Sequence, residues 1–517
     1  MPCIRTSPPQ QTSAGLRSGQ SLSRLALQRP GRVMRGKPRK PAQGSARPSW
    51  RRHALQRRNR VRSGWGFPPW EGQAPHRPCP DPAALSGVPA ARYREAPALL
   101  YEIFEAQEAW LARLRPFARS TAGLLRGWHA GEAAGLPLHP AAVPLHLLEE
   151  AGTTHRKPAF GLPRVREEVV AEAPFGRLLR FARPAAPPGP RLLVVAPLSG
   201  HFATRLRGTV AALLPDHDLH VTDWTDAREV PAARGGFGLD EQVAQLIAWL
   251  EAMGPGTHLL TVSQPAIAAL AAAALMAEDL NPARPRSLTL IAGPIDPHVN
   301  PTREAVLARA LPPAWLATAE VATVPPPFAG AGRRVRPGAQ QITASLLADL
   351  PAQLAARLAL VRHLAAGDAA AVEAHRHRQA ELRAVMDIPA ELYLDTLHRV
   401  FRTAELARGR MTWRGRTVRP AAIRDMPLLA VEGEADATCP PGQTAAALDL
   451  CAGLPPGLRH HHRQPGARHD DLFDGPVWEA EIRPRVGALI RAADRVALGG
   501  RRRWGQGRPP GDRGTAA

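Results

Sequence analysis

Three residues far apart in the chain have the types and the order needed for covalent chemistry. Ser263 lies in His258-Leu-Leu-Thr-Val-Ser263-Gln264-Pro265-Ala-Ile-Ala-Ala-Leu270, where strand-like sequence runs into one serine and then into Ala-rich helical sequence. That is the outline of a nucleophile elbow, in which a buried strand ends, the chain turns sharply and a helix begins. The strained turn holds the side chain toward substrate, and the helix N-terminus favours developing negative charge. Small residues are usual two positions before and after such a nucleophile, but Thr261 and Pro265 stand there. The pentapeptide also fits a serine capping a buried helix, so the weight falls on its partners.

Hydrolases built on this elbow place the acid and then the histidine later in the chain, each after a sheet strand. Met426-Pro-Leu-Leu-Ala-Val-Glu432 reads as a buried strand, and Asp436 follows it in Glu432-Gly-Glu-Ala-Asp436. Glu432 and Glu434 compete for the acid's role, and Asp436 also suits a plain turn. His469 lies beyond the strand candidate Leu458 to Gln464 and before a closing helix around Trp478 to Ile490. His460, His461 and His462 compete with it, though that cluster reads better as a solvated strand or turn than as a metal site. A serine hydroxyl is a weak nucleophile that needs His469 as base, with Asp436 fixing the imidazole tautomer. For the oxyanion hole, the sequence offers the backbone N–H of Gln264 and one from Leu198 or Ser199 in Leu198-Ser-Gly-His201. That loop also reads as an ordinary strand-to-helix turn.

The elements that must hold these residues alternate strand with helix. Arg191 to Ala196, Leu219 to Trp224, the elbow strand and Ser287 to Pro294 are apolar runs separated by helical sequence, notably Leu239 to Met253. Such alternation implies a parallel sheet covered on both faces. The sheet resumes only at Met426, after helical stretches at Thr343 to Leu364, Val372 to Met386 and Glu391 to Ala407. The sequence therefore predicts an α/β-hydrolase fold with a mostly helical cap. Its divisions are a disordered basic extension (1–98), a helical and short-strand region (99–182) and the first half of the core (183–295). A helical cap insertion (296–425), the second half of the core (426–497) and a basic disordered tail (498–517) complete it. In the second region, Leu100, Ile103, Phe104, Leu111 and Leu114 predict an amphipathic helix with a core- or partner-facing stripe, ended by Pro116. Val165 to Phe181 predicts two short strands.

The formal charge of +22 over 517 residues invites a nucleic-acid reading, but its distribution argues against one. Before Pro97 there are about nineteen basic residues against three acidic ones, whereas the body from Pro97 to Gly499 is near neutral. Arg dominates and Lys37, Lys40 and Lys157 are the only lysines, a pattern of GC-rich coding rather than of phosphate contacts. Nucleic acid is accordingly excluded as a partner of the body. The four cysteines form no C-x-x-C pair and no metal spacing, which points to a reducing compartment. No apolar run reaches membrane-spanning length, and no metal or organic cofactor is implied. The Arg- and Pro-rich first 98 residues lack the apolar surface to fold and read as an extension that need not belong to the natural protein.

The ordered blocks resemble the intracellular poly(3-hydroxybutyrate) depolymerases, from about Leu99 to Ala493. They are Val195-Ala-Pro-Leu-Ser-Gly-His201, Val221-Thr-Asp-Trp-Thr-Asp-Ala-Arg228, Ala292-Gly-Pro-Ile-Asp296, Gly332-Arg-Arg-Val-Arg-Pro-Gly338, Tyr393-Leu-Asp-Thr396, Val431-Glu-Gly-Glu-Ala-Asp436 and Gly442 to Gly453. The family's C-terminal region would span about 293–497. The resemblance implies a cytoplasmic enzyme at the surface of polyhydroxyalkanoate granules, hydrolysing the ester bonds of amorphous storage polyester. Ser263, His469 and Asp436 would be its triad. Two departures bear on this. The family typically carries V-C-Q-P where this chain has Val262-Ser263-Gln264-Pro265, and a serine needs stronger base assistance than a thiol. Its G-H-Y-G-I-F is here Arg468-His469-Asp-Asp-Leu-Phe473, and two carboxylates facing the ring would favour imidazolium and weaken the base. A non-catalytic granule-binding homologue is the alternative that the same residues allow.

Overall fold

The computed structural model describes residues 90–129, 152–183, 189–342 and 350–505, with Leu145 and Leu148. Its frame is an eight-stranded sheet in the order β1-β2-β4-β3-β5-β6-β12-β13. The strands are β1 (Arg166–Ala173), β2 (Gly176–Ala182), β3 (Arg191–Val195), β4 (Asp218–Trp224), β5 (His258–Val262) and β6 (Leu288–Ile291). After the cap come β12 (Leu428–Gly433) and β13 (Arg459–Gln464). β1 and β2 form an antiparallel hairpin that joins β4 antiparallel; every later pairing in the sheet is parallel. Counted in their own order these strands run 1-2-4-3-5-6-7-8, with crossovers through helices, which is the α/β-hydrolase fold that the sequence predicts. The central strands are buried along their whole length, the mark of a parallel sheet covered on both faces.

The helix that follows β5, Ala266–Glu278, is buried on every side from Ala266 to Ala277, so it needs no polar face. Its small side chains let it lie close to the sheet. A Cβ on Gly293, just past β6, would overlap the Ala266 methyl, so this crossing tolerates only glycine. Between β6 and β12 lies the expected insertion, whose helices include Arg303–Ala310, Pro313–Glu320, Leu350–Ala365 and Ala369–Arg383. It also holds a small antiparallel sheet of β7 (Ala322–Thr323), β8 (Arg334–Arg336) and β9 (Ile388–Pro389), and a hairpin of β10 (Thr412–Trp413) and β11 (Arg416–Thr417). These strands are two or three residues long, too short for an alternating pattern to register in the sequence.

Helix α1 spans Ala90–His129 and differs from its prediction at both ends. It begins ahead of residue 98, in a stretch rich in the good helix formers Ala, Arg and Glu, and it runs through Pro116. A proline there forfeits one hydrogen bond, a cost of about 3 kcal/mol that burial of Leu111 and Ala118 on either side offsets. Its inner face is Tyr101, Leu111 and Ala118, while Ile103, placed on the inward stripe by the sequence, is 49% exposed. The C-terminal helix Arg483–Gly505 likewise continues into the segment predicted as a disordered tail. The remainder of the predicted extension and tail lies outside the described residues.

α1 is fastened by a buried polar network. Tyr101 Oη donates to Asp387 Oδ2 at 2.8 Å, and the Gly338 N–H donates to Asp387 Oδ1 at 2.9 Å. His155 Nδ1 meets Asp226 Oδ2 at 2.6 Å, while Asp226 Oδ1 accepts the N–H groups of Arg228 and Asp387. Arg228 Nη1 pairs with Glu105 Oε1 at 2.7 Å. Burial, reinforced by the Asp226 charge, pushes Asp387 up to about 6 against the pull of His155. Burial opposes a charged His155, but its bond to Asp226 and the two carboxylates outweigh that and raise it. Both groups bind protons more tightly folded than unfolded. Their contribution is therefore present in mild acid and falls as pH rises past the ordinary carboxylate range toward and beyond 6. Half-buried His201 and buried His258, each lowered to about 4, act in the opposite sense, so the network is isolated by a difference. We expect the melting temperature of the parent, relative to Asp387→Asn, to decline between pH 4.5 and 8; a constant offset in pH-stepped calorimetry would contradict this.

Candidate active site

The parallel strands deliver their C-terminal ends to one edge of the sheet, and the three sequence-predicted side chains follow β5, β12 and β13 there. At the end of β5 the Val262 register matches Ile291 of β6, and the Ser263 N–H donates to Ile291 O at 2.8 Å. The chain then reverses within one residue. Ser263 has φ of 63°, left-handed backbone that a non-glycine residue adopts at a cost of about 1–3 kcal/mol. The Ala266 N–H closes the turn on Ser263 O at 3.1 Å, and helix Ala266–Glu278 begins. The conformation is that of a nucleophile elbow despite Thr261 and Pro265. Thr261 lies fully buried within β5.

Of the three competing carboxylates, Asp436 is the one that meets the histidine. His469 Nδ1 lies 2.7 Å from Asp436 Oδ2, and the carboxylate is fully buried while the ring is partly exposed. Asp436 Oδ1 accepts the N–H groups of Thr438 and Cys439, both at 2.8 Å, so the carboxylate is fixed from both sides. With Nδ1–H donating to Asp436, Nε2 carries the lone pair, the tautomer required of a general base. Among the described residues no hydrogen bond joins His469 Nε2 to Ser263 Oγ. The two adjacent carboxylates feared for their effect on the ring are engaged elsewhere: Asp470 pairs with Arg205 at 2.6 Å, and Asp471 accepts the Arg468 N–H at 2.8 Å. Phe473 packs edge-on against the imidazole with centroids 5.7 Å apart.

Glu432 and Glu434 shape the loops instead. Buried Glu432 accepts the N–H groups of Gly442, Thr444 and Ala445 on Oε1 and faces His461 at 2.9 Å through Oε2. One carboxylate thereby braces the whole segment that follows Asp436. Glu434 accepts the Gly466 N–H at 3.0 Å, which ties the acid loop to the histidine loop. Gly433 permits their close approach, because a Cβ there would lie 2.5 Å from Ala467 O. His462 turns to Gln464, so the histidine run of β13 brings no metal-like group together among the described residues.

The amides proposed for the oxyanion hole are held on the same edge. Trp224 Nε1 donates to Ala196 O at 2.7 Å and the Ala196 N–H donates to Thr222 Oγ1 at 2.9 Å, pinning the start of the Leu198–His201 loop to β4. Gln341 donates to Ser199 O, and the Met386 N–H donates to Gly200 O at 3.0 Å, so the cap insertion braces the loop from above. The side chains of Gln264 and Gln242 pair with each other at 3.2 and 3.4 Å. Among the described residues the N–H groups of Leu198, Ser199 and Gln264 donate to no protein acceptor, as an oxyanion hole requires. Glu432, Gln341 and the Asp226–Asp387 network were not assigned structural roles from sequence. Asp226 and Glu432 lie within blocks that the resemblance picks out, but nothing in the spacing tells what they touch. The one grouping of metal-ligand types among the described residues is His155, Asp226 and Asp387, in which His155 pairs with Asp226 and the Asp387 oxygens accept from Tyr101 and Gly338.

Residues 292–494 match the family described as PHB de-polymerase C-terminus. Over that segment the chain is similar to the PHB depolymerases. No curated protein matches it. Among solved structures it is similar to the alpha/beta hydrolase GrgF from Penicillium sp. sh18, at 16% identity and a TM-score of 0.38, covering 64% of this chain and 99% of that one. The monoacylglycerol lipase of Paleococcus ferrophilus is 14% identical with a TM-score of 0.32, over 59% of this chain and 96% of its own. A thermophilic esterase from Thermogutta terrifontis is 15% identical with a TM-score of 0.32, over 63% and 98% of the two chains. The fold assignment rests on the strand order and the elbow rather than on these likenesses.

Because Glu432 closes three backbone N–H groups in a dry setting, its loss should be felt in stability before chemistry. Glu432→Ala should lower the unfolding free energy by about 3–5 kcal/mol, the range expected when one partner of a buried charged group is removed and the others are left unpaired. Urea denaturation checks this; a change within 0.5 kcal/mol, the range of about ±0.5 expected at ordinary surface sites, would remove its bracing role.

Proposed function

We propose that this protein is a serine-dependent ester hydrolase acting on polyhydroxyalkanoate, with poly(3-hydroxybutyrate) as the polymer its family points to. The reading rests on one observation: the His469–Asp436 hydrogen bond stands on the same sheet edge as a serine held in left-handed backbone at the end of β5. Ser263 Oγ attacks the ester carbonyl as His469 Nε2 takes its proton. The amides of Gln264 and of Leu198 or Ser199 receive the oxyanion. Collapse releases the hydroxyl end of the polymer, which takes the proton back from His469, and leaves an acyl group on Ser263. Water, deprotonated by His469, then frees the 3-hydroxyacyl unit as its acid and restores the serine. The insertion 296–425 serves as the cap, and the enzyme works in the cytoplasm at the surface of storage granules.

Serine in place of the family's usual cysteine makes the histidine more important, because a hydroxyl does not ionise appreciably by itself. Asp436→Asn should lower kcat by about 10³–10⁴ with the fold retained, as loss of the tautomer-fixing acid does in serine hydrolases. The direct test measures release of 3-hydroxybutyrate from amorphous granules by the parent, Ser263→Ala and Ser263→Cys, each checked for folding by circular dichroism. Activity in the parent that is lost in the alanine variant supports the proposal. Activity confined to the cysteine variant, or silence from all three with granule binding kept, makes the chain an impaired or purely granule-binding homologue and overturns it.

A further inference from the structure

Helix α1 carries a row of large apolar side chains on its outer face at seven-residue intervals: Ile103, Trp110, Phe117 and Leu124 are 49, 60, 68 and 74% exposed. Seven residues are nearly two helical turns, so the four side chains line up along about 30 Å of helix. The inner face of α1 is already used by Tyr101, Leu111 and Ala118. The row therefore faces away from the core, and its exposure rises along the helix. We propose that it is the surface by which this protein holds the face of a solid, uncharged aliphatic polyester. The proposal rests on the polyester-hydrolase reading above and names the part of the chain that keeps such a substrate at the site.

Three features favour this occupant over the others. A second copy paired as a coiled coil needs a second apolar row beside the first. On the open side the neighbours are exposed Ala106, Arg113 and Ser120, and on the other Leu114 and Thr121 are partly packed inward. The chain's own termini are unsuited, because residues 1–89 and 506–517 are rich in Arg, Pro and Gly. An anionic lipid surface would call for a strongly basic flank. The exposed charges beside the row are mixed: Glu102, Arg113 and Arg119. A neutral polymer asks for apolar contact alone.

Placement supplies the functional argument. Tyr101 is bonded to Asp387, and the Met386 N–H next to it donates to Gly200 O in the loop proposed for the oxyanion hole. Glu105 is paired with Arg228, just past the C-terminal end of β4. The row is thus rigidly tied to the sheet edge that carries Ser263. Cap helix Pro313–Glu320 packs against α1 and also exposes a large apolar side chain, Trp315 at 50%. A water-insoluble polymer cannot be taken whole into a site. A protein that cuts it gains by resting on the surface while one chain segment reaches the serine.

The test compares the full chain with Ile103→Ser, Trp110→Ser, Phe117→Ser and Leu124→Ser combined, and with Trp110→Ser and Phe117→Ser singly in case the combined variant fails to fold. Binding to amorphous poly(3-hydroxybutyrate) particles is read by co-sedimentation in a Ser263→Ala background, so that the polymer is not consumed. Hydrolysis of p-nitrophenyl butyrate reports the site without a surface. We expect particle affinity to fall at least tenfold in the combined variant and about threefold in each single one. Turnover of the soluble ester should stay within twofold, with every form monomeric by sedimentation velocity. Unchanged particle affinity overturns the proposal. So does a parent dimer that the variant dissolves, which would make the row a contact between copies, or equal binding to anionic lipid vesicles. Inactivity of the parent toward both esters, with row-dependent particle binding kept, would sink the catalytic reading and leave the surface standing.

Discussion

A single backbone constraint governs the site: β5 must end, and a helix must begin, within one residue. Ser263 meets it by adopting left-handed backbone, and that strain is sustained because both flanks are locked. β5 is buried between β3 and β6, and helix Ala266–Glu278 is buried along almost its whole length. Neither can yield to relax the turn. The small side chains of the helix and Gly293 at the crossing then follow as packing requirements of that reversal.

The acid and the histidine obey the same geometry at lower strain. They stand on loops after neighbouring parallel strands, so one edge of the sheet collects all three side chains. The loops are made rigid by carboxylates rather than by apolar packing. Glu432 gathers three N–H groups, Glu434 joins the acid loop to the histidine loop, and Asp436 spends one oxygen on backbone and the other on His469. Arg205 draws Asp470 away from the ring. The polar density around His469 thus orients it, while keeping competing charge from its face.

The cap is more than a cover in this arrangement. Its strand segment through Val385 and Met386 bonds to Thr154 and Gly200, and Asp387 at its end receives α1. Helix, cap and the loop carrying Leu198 and Ser199 are therefore one mechanically connected unit.

The chain's alternation of apolar runs with helical stretches was sufficient to predict the sheet, its parallel character and the order in which serine, acid and histidine appear. Period and chain order are local properties, so they survive without coordinates. The elbow was suggested rather than dictated at Ser263, because strand-then-helix around one serine also fits a helix cap and its flanking residues match the usual pattern poorly. The sequence favoured Asp436 but left Glu432 and Glu434 as competitors, since three carboxylates within five residues differ only in where loop geometry points them. It could not show that Pro116 would be carried inside α1, because the offsetting burial of Leu111 and Ala118 comes from partners remote in sequence. Nor could it separate Ile103 from the inward stripe, because helical spacing fixes which residues share a face but not which face the body covers. Composition and period determined the fold and the candidate chemistry. Long-range contacts alone decided which carboxylate turns to His469, which faces are buried and which apolar row is left to solvent.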